Sequence, residues 1–259
     1  MTDRPVLGID IGGTGIKGAP VDLNIGEFST DRLRIDTPKK STPKNVAAVV
    51  AEIVEHFLPI IGPDGPIGIT IPAVVTHGQT RSAANIDKSW VDCQAEKIFE
   101  DQLGRDIYLM NDADAAGVAE VQYGAAKGHP GLVLLTTLGT GIGSALVYRG
   151  VLIPNSELGH LEIDGHDAES RAAASVKEKQ GMSYDEYVPR LQRYYERVEA
   201  LFWPDLIVVG GGVSKKADKF LPKLKLKTEI VPAKLLNSAG IVGAAWLAQD
   251  RKVNPDPMH

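Results

Sequence analysis

Three groups of residues in this 259-residue chain have types and spacings that chemistry can use. In Asp10-Ile-Gly-Gly-Thr-Gly-Ile-Lys17, a carboxylate and an ammonium flank a glycine-rich turn. The apolar run Val6 to Ile9 before it and the alternating run Ile16 to Leu23 after it predict strand, turn, strand. Gly12 and Gly13 are expected to supply the positive φ angles of a tight hairpin. A tip so bare of side chains exposes backbone N–H groups that can cradle phosphate oxygens. Asp10 would hold a hydrated Mg²⁺ there, Thr14 a hydroxyl and Lys17 a positive charge. Asn111-Asp112 ends a strand-like run and opens a helical one, where an α/β sheet faces its ligand. A carboxylate at that point can take the proton of an attacking hydroxyl; the same pair can also be a plain helix cap. Glu157-Leu-Gly-His160 sets a carboxylate beside a ring with two distinguishable nitrogens. That pairing suits neighbouring hydroxyls, each both donor and acceptor.

Composition sets outer limits on what these groups can be for. Apolar content of 43% and charged content of 24% are ordinary for a globular protein. No apolar run approaches the roughly 20 residues that span a bilayer, and no signal-peptide apolar segment precedes the first strand. Cys93 is the only cysteine, so intrachain disulfides and thiolate-rich zinc sites are excluded. A cytoplasmic location is expected. A net charge of −5 argues against nucleic acid as a partner. One stretch departs from that balance: between Ser214 and Lys234 stand Lys215, Lys216, Lys219, Lys223, Lys225, Lys227 and Lys234 against Asp218 and Glu229. Such a run is usually a solvated face, but this one directly follows Gly210-Gly211-Gly212.

The elements that must position these groups follow from periodicity. Strands are expected at 5–11, 15–23, 29–36, 66–71 and 107–110, and an amphipathic helix from Asn45 to Leu58. Residues 96–103 read as helical, and Asn111-Asp112 would cap a helix reaching about Gln122. Leu132–Leu138 and Ile142–Val147 predict a second hairpin around Gly139-Thr140-Gly141. Ser183-Tyr-Asp-Glu186 fits a capping box. The helix after it carries Tyr184, Tyr187, Val188, Leu191, Tyr194, Val198 and Leu201 as one core-facing stripe. Asp205–Val209 is a buried strand entering Gly210-Gly211-Gly212, and Gly240–Ala248 a final apolar helix. Two hairpin-plus-glycine-loop units in one chain predict two related lobes facing across a cleft.

The spacing Asp-x-Gly-Gly-Thr-x-x-Lys resembles the first phosphate loop of ROK-family sugar kinases. Leu138-Gly-Thr-Gly-Ile-Gly143 resembles their second phosphate loop, and Val208-Val-Gly-Gly-Gly-Val-Ser214 their nucleotide-side loop. The resemblance spans nearly the whole chain and is strongest to the branch that uses polyphosphate. It implies an α/β protein of the actin-like ATPase, ribonuclease-H-like fold, with a smaller lobe of residues 1–111 plus 240–259 and a larger one of 112–239. It implies transfer of a phosphoryl group from polyphosphate or ATP to O6 of glucose, with Asp112 as general base. Asn85, Asn111, Asp112, Glu157, His160 and Glu169 would hold the sugar. Asp10, Gly12, Gly13, Thr14, Lys17, Gly139, Thr140, Gly141, Gly210, Gly211, Gly212, Lys215 and Lys216 would hold the donor around Mg²⁺. A homodimer is implied as well.

Many ROK proteins follow Gly-His with a cysteine-rich zinc motif. Here the stretch is Leu161-Glu-Ile-Asp-Gly-His-Asp-Ala-Glu169. His160, Asp164, His166 and Asp167 could ligate a metal, but a solvated loop without zinc is the expectation. The alternatives are an ATP-dependent glucokinase or another hexose kinase, a catalytically dead sugar-binding module, and a sugar-responsive repressor. The last is disfavoured, because the first strand starts near residue 5 and leaves no room for a helix-turn-helix domain.

Overall fold

The computed structural model describes residues 4–83 and 86–254, and its elements fall into two compact units. The first takes in residues up to Ala119 and from Ser238 onward; the second is Glu120–Asn237. The first unit is the longer one, and the division falls inside a helix rather than at its start.

In the first unit the chain runs β1 (Val6–Ile11), β2 (Gly15–Asp22), β3 (Glu27–Phe28), β4 (Leu33–Asp36), α1 (Pro43–Ile61) and β5 (Ile67–Ile71). There follow a small hairpin of β6 (Val75–Thr76) and β7 (Gln79–Thr80), then α2 (Ala95–Leu103), β8 (Tyr108–Asn111) and the start of α3 (Asp112–Gln122). The sheet order is β3-β2-β1-β5-β8, with β4 also on β2; β1 pairs antiparallel with β2 and parallel with β5. Residues 29–36 do not form one strand, because the chain bends between β3 and β4. Pro43 at the first turn starts α1 early, since its missing N–H has no partner to lose there. The chain leaves α1 through Gly62 at φ 75°.

The second unit repeats the sheet order, with its small hairpin placed before the helices. β9 (Leu132–Leu138), β10 (Ile142–Tyr148) and β11 (Val151–Ile153) form an antiparallel meander. The small hairpin of β12 (Glu162–Ile163) and β13 (His166–Asp167) comes next, then α4 (Glu169–Ala172), α5 (Ala174–Lys179), α6 (Tyr184–Phe202), β14 (Leu206–Gly210) and β15 (Glu229–Pro232). The main sheet is β11-β10-β9-β14-β15, with β14 parallel to β9. Ser183 and Glu186 form the expected capping box at α6. Tyr187, Leu191, Tyr194 and Val198 are buried from its stripe, but Leu201 is exposed, and Tyr195 joins the core instead. The Tyr195 hydroxyl can turn inward because Thr136 Oγ1 meets it at 2.8 Å.

The chain closes with α7 (Ala239–Val253), back in the first unit. Glycines on the strands let its backbone come close to theirs: a side chain at Gly8 of β1 would strike the Ile241 carbonyl, and one at Gly68 of β5 the Ala244 carbonyl. Among the described residues, no helix is long and apolar enough to cross a membrane.

Candidate functional site

In the first unit, strand pairing builds the group around Asp10. Asp10 lies opposite Lys17 across the β1–β2 pair and beside Thr70 on β5. The register brings Lys17 Nζ to 3.5 Å from one carboxylate oxygen, and Thr70 Oγ1 donates to the other at 3.0 Å. Thr70 carries no motif, so nothing in the sequence singled it out. The turn itself corrects one expectation. Neither Gly12 nor Gly13 is in the left-handed region; a methyl at Gly12 would stand 3.1 Å from the Gly15 carbonyl oxygen, so glycine is used there for room. The Gly12 N–H donates to that same oxygen at 3.1 Å. Thr37 Oγ1 donates to the Gly12 carbonyl at 2.5 Å, and Arg34 to the Thr14 carbonyl at 3.0 Å, so β4 and the loop after it brace the tip.

Asn111 and Asp112 stand at the junction of β8 and α3. The Asn111 side chain is 7% exposed; its Oδ1 accepts the N–H groups of Ala113 and Asp114, and its Nδ2 donates to the Ala73 carbonyl. The helix-capping role weighed from sequence is therefore real. Asp112, half-buried, is the acid next to this locked cap. Asp114 is the more buried of the two acids, at 2% exposure, and sits within the first turn. Asn85 lies outside the described residues.

In the second unit, Glu157 leads into the single 3₁₀ turn Leu158–His160. That turn is clamped to β10: Ser144 Oγ donates to the Ser156 carbonyl at 2.6 Å and accepts the Leu158 N–H at 3.0 Å. Gly159 is needed because a side chain there would strike the Ile142 carbonyl. Glu157 Oε2 comes to 4.0 Å from His160 Nε2. Burial pushes the Glu157 carboxyl above its ordinary range, with a further push from Glu169 and an opposing pull from His160. On its other side the His160 ring meets Asp167, Nδ1 to Oδ2, at 2.8 Å; that bond raises the imidazole pKa. Glu169 Oε2 accepts the Ile142 N–H at 3.0 Å, which ties it to the end of the Gly139-Thr140-Gly141 loop.

That glycine loop is held from outside. Ser175 of α5 donates its N–H to the Gly139 carbonyl at 3.0 Å and its hydroxyl to the Thr140 carbonyl at 2.6 Å. Ser144 and Ser175 brace these two loops, and no local pattern in the sequence marks either of them. After β14, Gly211 takes φ 81°, and a side chain there would strike Leu138. Ser214 closes the turn through its hydroxyl, 2.7 Å from the Gly211 carbonyl oxygen. Lys215 and Lys216 are exposed on the 3₁₀ segment Gly212–Lys219. Other members of the lysine run are already engaged. Lys223 pairs with Asp185 at 2.5 Å, Lys227 lies over Trp203, and Lys219, like Lys177, lies over the Tyr184 ring.

His160, Asp167 and Glu169 bring a ring nitrogen and two carboxylate oxygens within 4.8 Å of one another. Of the four residues considered from sequence as metal ligands, only His160 and Asp167 are in this group. Asp164 is instead gripped by the Arg193 guanidinium fork at 2.9 and 2.7 Å.

The ROK family model matches residues 6–178, which covers both hairpins and the whole Glu157–Glu169 region. The chain belongs to the ROK family. It is 51% identical over 94% of its length to the polyphosphate glucokinase of Mycobacterium tuberculosis, of which it covers 91%. The crystal structure of an inorganic polyphosphate/ATP-glucomannokinase from Arthrobacter sp. strain KM superposes with a TM-score of 0.91 at 52% identity, covering 95% of this chain and 99% of that one. A ROK glucokinase from Streptomyces griseus, solved with glucose and AMPPNP, shares the fold at a TM-score of 0.80 and 22% identity, covering 95% and 99%. The fold is thus that of ROK sugar kinases, the actin-like ATPase fold expected from sequence. Each unit contributes one antiparallel hairpin continued by parallel strands.

Proposed function

We propose that this ROK protein phosphorylates glucose at O6, with inorganic polyphosphate or ATP as donor. The observation that carries the reading is the 51% identity, over 94% of the chain, to a polyphosphate glucokinase. The Asp10–Lys17, Asn111-Asp112 and Glu157–His160 motifs are all intact. In this reading Asp112 takes the proton of the 6-hydroxyl as that oxygen attacks the terminal phosphorus, and the bond from phosphorus to the rest of the donor breaks. Phosphoryl transfer asks little covalent chemistry of a protein, so positioning supplies most of the rate. Asn85, Asn111, Glu157, His160 and Glu169 orient the sugar. Gly12, Gly13, Thr14, Lys17, Gly139, Thr140, Gly141 and Gly210 to Gly212 hold donor phosphates, with Lys215 and Lys216 beyond them.

Magnesium fits the residues around Asp10. Mg²⁺ keeps several waters and needs only one or two protein carboxylates besides substrate phosphates. Asp10 is partly exposed and held in place by Thr70 and Lys17. The ion would neutralise charge on the donor. Zinc is not part of the proposal, because no thiolate accompanies His160. A homodimer in the cytoplasm completes the reading.

A second reading concerns the acceptor. The Arthrobacter protein is named a glucomannokinase, and its 52% identity favours mannose as an additional acceptor here. The test of the proposal is Asp112→Asn: kcat for glucose should fall about 10²- to 10⁴-fold while glucose binding by calorimetry persists. A folded Asp112→Asn protein with near wild-type kcat would refute the assignment of the base.

A further inference from the structure

The loop that carries cysteines in many ROK proteins must hold itself together by other means in this chain. The β12–β13 hairpin turns at Asp164-Gly165, both at positive φ, and the Arg193 fork pins Asp164 to α6. The Ala168 N–H donates to the Leu161 carbonyl at 2.9 Å, and Ser170 Oγ to the Asp167 carbonyl at 2.6 Å. Asp167 is therefore fixed from both sides of the loop, and its two carboxylate oxygens divide their work. Oδ2 meets His160 Nδ1 at 2.8 Å, and Oδ1 accepts the Glu169 N–H at 3.2 Å.

We propose that Asp167 is a positioning residue for sugar binding, whose carboxylate fixes both the ring orientation and the tautomer of His160. A carboxylate can only accept, so Nδ1 must carry the hydrogen of this bond. In the neutral imidazole the lone pair is then on Nε2, the nitrogen that faces Glu157. A histidine's tautomer is set by the hydrogen bond its other nitrogen makes. One carboxylate thus presents Nε2 as an acceptor for a sugar hydroxyl and aligns the start of α4, which carries Glu169. This inference rests on the reading that Glu157, His160 and Glu169 contact the sugar. The charged groups facing the ring are Asp167 on β13, Glu169 on α4 and Glu157 ahead of the 3₁₀ turn, and all three favour the protonated form. The Asp167 bond is the largest of these influences.

The test uses the full-length protein with ¹⁵N-labelled histidine, the His160 signals being assigned by their loss in His160→Gln. Wild type should show the Nδ1–H tautomer at His160 once the ring is neutral. In Asp167→Ala the Nε2–H tautomer should replace it, and the titration midpoint of the ring should fall. In assays, Asp167→Ala should raise KM for glucose about tenfold, the scale of one lost charge-assisted hydrogen bond, while KM for the donor moves by less than about twofold. Asp167→Asn retains an oxygen that can accept the Nδ1–H and should recover part of the loss. An unchanged tautomer in Asp167→Ala, or equal rises in both KM values, would overturn the proposal. If wild type fails to phosphorylate glucose, the functional reading falls, and the histidine spectra still decide what Asp167 does to His160.

Discussion

The two glycine hairpins share a topology and differ in what they place at their tips. In β1–β2 the second cross-strand pair from the turn is Asp10–Lys17, with Thr70 on the parallel neighbour. In β9–β10 the corresponding pair is Thr137–Gly143, and the parallel neighbour supplies Gly210. The first tip therefore carries a fixed carboxylate and ammonium. The second carries almost nothing but backbone, held by Ser175 on one side and Glu169 on the other. In the proposed function, one fold element used twice would divide the labour of phosphate handling: one copy supplying charge, the other room and N–H groups. Within the second unit, Glu169 ties this copy to the Glu157–Glu169 region.

Substitutions can break this comparison. Asp10→Asn should remove the charge of the first tip and cost about 100-fold in kcat, the scale seen when one electrostatic contact to a reacting group is lost. Thr137→Val at the matching place in the second hairpin should change kcat little; similar losses at both positions would mean that the hairpins do not divide the work. At the second tip, Gly139 has nothing within 4 Å of an added methyl, whereas Gly211 has both φ 81° and the Leu138 backbone against it. Gly139→Ala should keep the melting temperature and raise KM for the donor. Gly211→Ala should destabilise the fold by about 1–3 kcal/mol, visible as a drop of several degrees on melting.

The smallest expected effect lies beyond the second tip. Lys215→Gln with Lys216→Gln should raise KM for long polyphosphate more than KM for ATP. A long polyanion can reach both exposed cations and displace their counterions, so its KM in wild type should also climb more steeply with salt. Adding Lys219→Gln and Lys223→Gln should contribute less, because Lys223 already pairs with Asp185 and Lys219 lies on Tyr184. Equal shifts for both donors, or none, would reduce the lysine run to a solvated face.

Much of this was legible in the residues. The hairpins, the capping box and the strand-to-helix step at Asn111-Asp112 have short-range signals, since turn glycines, caps and apolar alternation act within a few positions. What escaped depends on distant partners. The Gly12 backbone avoids the left-handed region because Gly15, Thr37 and Arg34 shape the turn around it. Thr70, Ser144 and Ser175 brace their neighbours through pairing across the sheet or between elements, and no local pattern marks them. Leu201 continues the α6 stripe in spacing but is exposed at the end of the helix, whereas Tyr195 is buried because Thr136 offers its hydroxyl a partner. The division of the chain inside α3 follows packing rather than any break in composition.

The most direct test of the functional account is a side-by-side assay of glucose 6-phosphate formation with Mg²⁺, using long-chain polyphosphate or ATP as donor and glucose as acceptor. The account predicts turnover with polyphosphate that is abolished by chelating the metal, whether or not ATP also serves. Turnover with ATP alone would leave a ROK glucokinase and remove the polyphosphate assignment; no glucose 6-phosphate from either donor would contradict the account as a whole.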